Sequence, residues 1–131
     1  MEGKTVLIVQ SNPIIFGDFQ TIMAQEYPKL ARKALYAESF GEAVKKTPKE
    51  GKLIVISSNF FKTPDHEKNG VMLAEEIHRI NSDTEFYIFS KNQPEKSKFV
   101  KDFVLKNQFG DINFTDVSNV LDLVLKDFYN S

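Results

Sequence analysis

The chain has 131 residues, 17 basic against 18 acidic side chains, 41% hydrophobic residues and no cysteine. This length suits one domain over residues 1–131, with enough apolar residues for a sizeable core. A formal charge of -1 lacks the concentrated basic surface that nucleic acid or an anionic membrane requires. The absence of cysteine excludes disulfides, thiol nucleophiles and thiolate metal sites. We therefore expect a cytoplasmic protein that binds neither nucleic acid nor membrane.

The first quarter of the chain predicts one buried strand followed by one amphipathic helix. Thr5–Val9 is a continuous apolar run with β-branched residues, which favours a strand buried on both faces. The helix is predicted to begin at Pro13, with Asn12 or Ser11 as its cap. Pro28 is expected to end it because proline interrupts the hydrogen bonds of a helix interior.

The central strand of the predicted fold lies in the stretch Lys52–Asn59. Before it, Lys33–Ala37 is a weaker strand candidate, and Ser39 and Glu42 have the spacing of a capping box that opens a helix through Lys46. Lys52–Asn59 itself contains four consecutive apolar residues, and it ends abruptly in small polar ones. A run of this kind suits a parallel strand buried on both faces, with its polar end at the sheet edge where sites are placed.

The second half continues the alternation. A helix is predicted over Val71–Ile80, a strand over Glu85–Ser90, and a further helix from Pro94 onward. Gly110–Phe114 is a possible last strand, and Thr115 is expected to cap the final helix. The helix after Pro94 is predicted from an apolar stripe at Phe99, Val100, Phe103 and Val104.

Five strand-helix pairs in sequence predict the fold class. Alternation of this kind favours a parallel sheet with right-handed crossovers and helices on both faces. We therefore predict a flavodoxin-like (βα)5 α/β fold with a doubly wound five-stranded parallel sheet.

The chain resembles, over essentially its full length, a CheY-like receiver domain of bacterial two-component response regulators. Val6–Pro13 looks like the first strand and acidic pair of that family, but the pair positions hold Gln10 and Ser11. Leu53–Ser57 looks like the third strand, whose last residue is normally the phospho-accepting Asp. Here that position is Ser57.

Three further positions of the resemblance concern the second half of the chain. Asn69–Leu73 is similar to the family's Asp-Gly-x-x-Leu helix start, and Ser90 retains the switch Thr or Ser that ends the fourth strand. The family also has a Lys at the end of its fifth strand. With that strand placed at Gly110–Phe114, no Lys occurs between Lys106 and Lys126, and the family Lys is expected to be missing.

The resemblance implies a degenerate pseudo-receiver. Aspartyl phosphorylation needs a carboxylate nucleophile, a divalent cation and donors for the developing negative charge. Magnesium is held chiefly by carboxylates, and the acidic-pair and acceptor positions here are neutral. We therefore expect no catalytic residue, no metal and no cofactor. The expected function is a receiver-like signalling domain that is not an enzyme and acts by phosphorylation-independent protein-protein interaction.

Three features admit more than one interpretation. Ser57 is either a hydroxyl phospho-acceptor or simply the small polar end of a buried strand. His66, between Asp65 and Glu67, could join them at a metal, although alternating ligands on a loop are a weak signal. Four lysines near the Pro94 helix form either an anion-binding face or the solvent side of an amphipathic helix: Lys96, Lys98, Lys101 and Lys106.

A partner surface is also implied by the resemblance. In the family, the fourth helix, fifth strand and fifth helix form the output and dimer face. We expect a protein partner or self-association through this face, although its phenylalanines could equally belong to the core. The candidate residues are Phe99, Phe103, Phe109, Leu123 and Tyr129.

The alternative function is a small-ligand or anion-binding α/β domain that uses the crevice at the strand ends. Hydroxyl groups converging there could hold an anion or a nucleotide-like ligand, but no Gly-rich phosphate loop supports this hypothesis. The hydroxyl residues are Ser11, Ser57, Ser58 and Ser90.

Overall fold

A computed structural model of the chain describes residues 4–59, 61, 68–89, 97–104 and 114–130, and for residues 103, 104 and 127–130 it describes the backbone alone. The described strands are Lys4–Val9 (β1), Leu35–Ala37 (β2), Lys52–Ser57 (β3), Thr84–Phe89 (β4) and Asp102–Val104 (β5). The described helices are Pro13–Glu26 (α1), Pro28–Ala31 (α2), Phe40–Lys46 (α3), Gly70–Ile80 (α4) and Phe114–Asn130 (α5).

The five strands form one parallel sheet in the order β2-β1-β3-β4-β5. Alternate residues of the central strands face two separate apolar layers. Val6 and Ile54 pack with α1 and α5, whereas Leu7 and Leu53 pack with α3 and α4. Burial on both faces explains why β1 and β3 are continuous apolar runs. The predicted flavodoxin-like sheet with helices on both faces is confirmed.

Two predicted helix starts are confirmed in atomic detail. The Asn12 side-chain oxygen caps α1 by accepting hydrogen bonds from the backbone N–H of Ile14 at 2.9 Å and Ile15 at 3.3 Å. The Ser39 hydroxyl caps α3 by accepting from the backbone N–H of Glu42 at 3.2 Å. These side chains satisfy N–H groups that have no partner within the helix, and they fix where each helix begins.

The helix predicted from Pro94 is wrong over residues 97–104. Lys98 and Phe99 lie in a turn, and the last two residues of the supposed helical stripe, Phe103 and Val104, lie in β5. Val100 is buried and Phe99 is half-buried against the α3 and α4 layer, so both are apolar for a reason other than a helix face. The Lys101 backbone N–H donates to the Phe86 carbonyl at 2.8 Å and starts the pairing of β5 with β4. The spacing of apolar residues in so short a run fits both a helix and a turn followed by a strand, so it does not distinguish the two.

The last strand predicted at Gly110–Phe114 is also misplaced. The fifth strand of the sheet comes earlier in the chain, and Phe114 is already the first residue of α5. Thr115 therefore lies inside this helix and does not cap it. Residues 105–113 lie outside the described ranges.

No helix among the described residues is long and apolar enough to span a bilayer.

The charged side chains at the amino ends of β3 and β4 form an ion-pair network. One Glu85 carboxylate oxygen lies 3.2 Å from the Lys52 ammonium and 3.1 Å from that of Lys101, and Lys52 also lies 3.4 Å from an Asp83 carboxylate oxygen. Burial alone would raise the pKa of Glu85, but Lys101 and Lys52 outweigh it and lower that pKa. Because Lys101 directly precedes β5, this network helps to position the edge strand.

Candidate functional site

The candidate site lies at the carboxyl ends of β1 and β3, where the strand order of the sheet reverses. Crevices at this point of an open α/β sheet are where such folds bind ligands. Val9 pairs with Ser57 across the two strands, and the Ser58 backbone N–H donates to the Val9 carbonyl at 2.9 Å. We call the five residues at these ends the strand-end site: Gln10, Ser11, Ser57, Ser58 and Asn59.

Ser57 is fully buried, with 0% of its surface exposed. Its hydroxyl donates a hydrogen bond to the Ser58 carbonyl at 2.8 Å. Strand alternation places its side chain on the same face as Leu53 and Val55, which is the face covered by α3 and α4. The hydroxyl proton is therefore used within the protein. This geometry agrees with the interpretation of Ser57 as the small polar end of a buried strand.

The start of α4 packs directly on the strand-end site. The Gly70 backbone N–H donates to both oxygens of Asn59, at 3.0 Å to the carbonyl and 3.3 Å to the side chain. A Cβ atom on Gly70 would lie 3.0 Å from Ile88 Cδ1 and 3.1 Å from the Ser58 carbonyl oxygen. That oxygen is the one that accepts the Ser57 hydroxyl. The side of the site that faces α4 is thus closely packed, and glycine is what allows the approach.

Replacing Gly70 with Ala is expected to lower the free energy of unfolding by about 1–3 kcal/mol, since the added Cβ would overpack this contact. Two of the three nearest atoms, in Ser58 and Asn59, belong to the backbone and cannot move without displacing the end of β3. Urea unfolding followed by circular dichroism measures the change. Gly41→Ala is the matched control, because a Cβ there meets nothing within 4 Å and alanine favours a helix. Equal losses in the two variants would contradict the packing argument.

The strand-end site carries no carboxylate among its five members. Gln10 is buried and Ser11 is half-exposed, and both offer only neutral oxygens. Magnesium, the cation that the fold family implies, is bound mainly through carboxylates. The five residues of the strand-end site offer only neutral oxygens and therefore do not fit magnesium. Across the described part of the chain, no three His, Asp or Glu side chains come together as metal ligands.

The strand-end site brings together the predicted residues Gln10, Ser11, Ser57 and Ser58. Ser90, Phe109 and the Asp65–Glu67 loop lie outside the described residues. So do Lys96 and Lys106, whereas Lys98 lies in the turn before β5 and Lys101 joins the Glu85 network. Of the four lysines, the two described ones, Lys98 and Lys101, therefore do not share a helical face.

The predicted interaction face is described only in part. Phe99 is half-buried, and its ring centroid lies 5.3 Å from that of His78. Leu123 on α5 is 70% exposed. Phe103 lies on β5 and Tyr129 on α5, and only their backbones are described. The sequence predicted that Phe99 and Phe103 share a helix face, but Phe99 lies in a turn and Phe103 on a strand.

The position of β5 also corrects the prediction about the family Lys. That prediction depended on a last strand at Gly110–Phe114. With β5 ending at Val104, the next Lys in the sequence is Lys106, two residues beyond the strand. Lys106 lies outside the described residues, but its place in the sequence is that of a Lys following the fifth strand. The expectation that charged groups of the resembling family are missing therefore rests on the acidic-pair and acceptor positions alone.

Comparisons with known proteins support the fold and nothing finer. No protein-family model and no curated protein matches the sequence. Among solved structures, a CheY-like response regulator receiver domain protein from Methanospirillum hungatei JF-1 is similar with a TM-score of 0.65 and 16% identity, over 99% of this chain and 100% of that one. The response regulator domain of Thermotoga maritima CheB is similar with a TM-score of 0.66 and 17% identity, over 97% and 96%.

A third similar structure is the isolated receiver domain of RcsB from Salmonella enterica serovar Typhimurium, solved in the presence of the phosphomimetic BeF3-. Its TM-score is 0.62 and its identity 16%, over 93% of this chain and 88% of that one. At these identities the likeness establishes the architecture. The chain has the CheY-like receiver fold.

Proposed function

We propose that this chain is an atypical receiver-like signalling domain of a two-component-type system that acts by phosphorylation-independent protein-protein interaction. The observation that carries the proposal is the state of Ser57 at the acceptor position. It is fully buried and its hydroxyl is bonded to the next carbonyl, beside Gln10 and Ser11 where the resembling family has its acidic pair.

The chemistry of this arrangement argues against phosphoryl transfer. An attacking oxygen needs either a negative charge of its own or a base that removes its proton. Ser57 has no charge, and its neighbours Gln10, Ser11 and Asn59 are amides or a hydroxyl that do not act as bases. With no carboxylate among its five residues, the strand-end site also lacks the negative charge that would hold a divalent cation against the incoming phosphoryl group. The domain is therefore proposed to be a cytoplasmic binding module and not an enzyme.

A surface on α5 supports the binding role. Leu123 is exposed on a helix whose opposite side packs Val117 and Leu121 into the core. The Tyr27 hydroxyl donates to an Asp122 carboxylate oxygen at 2.7 Å, which ties α5 to the end of α1 directly beside Leu123. Burial and the Asp122 hydrogen bond raise the pKa of Tyr27, so this hydroxyl keeps its proton at physiological pH. The apolar side chain is thus presented on a fixed helix, as a docking surface requires.

The proposal predicts that small phosphodonors leave this chain unmodified. After incubation with acetyl phosphate and Mg²⁺, intact-mass spectrometry should show no gain of a phosphoryl group, since the acceptor position has neither a carboxylate nor a base. A conventional receiver domain treated in parallel is the positive control. Magnesium-dependent phosphorylation that disappears in Ser57→Ala would contradict the proposal.

A further inference from the structure

A groove of about 520 Å³ separates α3 from α4, away from the strand-end site. Its apolar lining is formed by Phe40 and Val44 from α3 and Met72 from α4. Met72 is 45% exposed. Gly41 also lines the groove, and a Cβ there would meet nothing within 4 Å. The groove is therefore lined by apolar side chains, has open space beside Gly41 and is bordered by the partly exposed Met72 side chain.

The charges along this groove run from basic to acidic. Lys68 precedes the first turn of α4, and its ammonium lies 4.6 Å from the centroid of the Phe40 ring. At the other end, Arg79 lies 3.0 Å from a carboxylate oxygen of Glu75 and 3.0 Å from one of Glu76. These four charged groups sum to zero, but the two carboxylates flank the end of the groove opposite Lys68. The surface is therefore neutral overall and polar along its length.

We infer that the groove is the interface for a second copy of this chain. Lys68 lies four residues before Met72 and Glu76 lies four residues after it. When two copies pair about a two-fold axis at Met72 with their α4 helices antiparallel, the last turns of one α4 lie beside the start of the other and the residues that precede it. Lys68 then meets the partner's Glu76, and the same pair forms a second time by symmetry. The charge order of the groove is thus complementary to itself.

The apolar part of the groove fits the same arrangement. Met72 is flexible and fills irregular spaces well, so the two Met72 side chains that meet at the axis can each extend into the groove of the other copy. The open space beside Gly41 accommodates it, between Phe40 and Val44. This contact lies on the α3 and α4 side of the sheet, whereas Leu123 belongs to α5 on the other side. The inference is therefore independent of the proposed function, and either can fail without the other.

Sedimentation equilibrium of the whole chain tests the inference by charge reversal. The wild type should dimerise below about 1 mM at low ionic strength and dissociate progressively with added salt. Lys68→Glu and Glu76→Lys should each weaken the dimer by about tenfold or more, because like charges then face each other twice. The chain carrying both substitutions restores two opposite-charge pairs, and its dissociation constant should return to within about threefold of the wild type.

Groove filling provides the second arm of the test. Gly41→Trp should block entry of the partner's Met72 and abolish dimerisation, while Gly41→Ala should leave the dissociation constant unchanged within about threefold, as the smaller side chain leaves room. Gln20→Glu, at an exposed position of α1 on the opposite side of the sheet, is the control for surface charge and should also leave the dissociation constant unchanged. A wild type that stays monomeric, which would assign the groove to some other occupant, overturns the inference. The inference is also overturned by a dimer that tolerates both charge reversals, by a double variant that stays monomeric, or by a dimer that Gln20→Glu breaks.

Discussion

Replacing Ser57 with Asp is expected to lower the free energy of unfolding by about 3–5 kcal/mol, because it buries a carboxylate with no compensating charge. The Ser57 side chain is completely buried and donates to the Ser58 carbonyl. A carboxylate there replaces a donor with an acceptor that faces the same carbonyl oxygen. The change restores the residue type of the resembling family but not the surroundings that hold it. Urea unfolding at pH 7 measures the loss.

The pH dependence separates charge from size in this variant. We expect burial to raise the pKa of the new carboxyl above its unfolded value of about 3.9, so the native state binds the proton more tightly than the unfolded state. The loss relative to wild type should then be full above the native pKa and should shrink as the pH falls through it. Ser57→Asn is matched in size and should show no such pH dependence. An Asp variant as stable as Ser57→Ala at pH 7 would contradict the buried, neutral site.

Replacing Asn81 with Ala should lower the free energy of unfolding by about 2–4 kcal/mol, since the change leaves three backbone groups without their partner. The buried Asn81 amide group donates to the carbonyls of Pro48 and Gly51, each at 3.0 Å, and its oxygen accepts from the Asp83 N–H at 2.9 Å. The side chain thereby joins the turn before β3 to the turn before β4. Gly51 adopts a φ of 90°, so this turn also depends on a conformation that glycine adopts readily.

Two variants make the Asn81 prediction specific. Asn81→Asp retains an acceptor for the Asp83 N–H but places a carboxylate oxygen against the Pro48 and Gly51 carbonyls, and it should be at least as destabilising as alanine at neutral pH. Ser82→Ala alters an exposed neighbour and should change the stability by less than about 0.5 kcal/mol. The account would be wrong if Asn81→Ala behaved like Ser82→Ala in urea unfolding.

The parts of the fold that could be predicted are those with strong local causes. Thr5–Val9 and Lys52–Asn59 are long apolar runs, and a parallel strand buried on both faces is the simplest structure that accommodates them. Asn12 and Ser39 stand next to helices whose first N–H groups need an acceptor, so the helix starts followed from residue chemistry. The doubly wound parallel sheet then followed from alternation, because parallel strands need crossover helices, which pack on both faces.

The region after β4 could not be predicted because its apolar residues are explained by contacts that are distant in sequence. Phe99 and Val100 pack against α4, and Lys101 is held by Phe86 and Glu85 of β4. Helical spacing in so short an apolar run does not exclude a turn followed by a strand. Because the fifth strand was predicted too late in the chain, Lys106 was not compared with the Lys that follows the fifth strand in the resembling family. The sequence therefore predicted one more missing charged group than the position of β5 supports.

The candidate site was predictable by position and not by environment. Strand ends in a parallel sheet converge, so Gln10, Ser11 and Ser57 could be grouped from the sequence alone. Burial of the Ser57 hydroxyl against the Ser58 carbonyl depends on the approach of Gly70 and α4, a contact between residues far apart in the chain. The groove beside Met72 was missed for a similar reason. Its only signal in the sequence is a large apolar side chain off the buried stripe of Leu73 and Ile77.

The central claim is that the strand-end site neither binds a divalent cation nor accepts a phosphoryl group. A two-dimensional amide NMR titration with Mg²⁺ and beryllofluoride tests it at the residues concerned. The account predicts that the signals of Gln10, Ser11, Ser57 and Ser58 stay in place at concentrations that saturate a conventional receiver domain. Saturable shifts centred on those four amides, present with Mg²⁺ and beryllofluoride together and absent with fluoride alone, would contradict it.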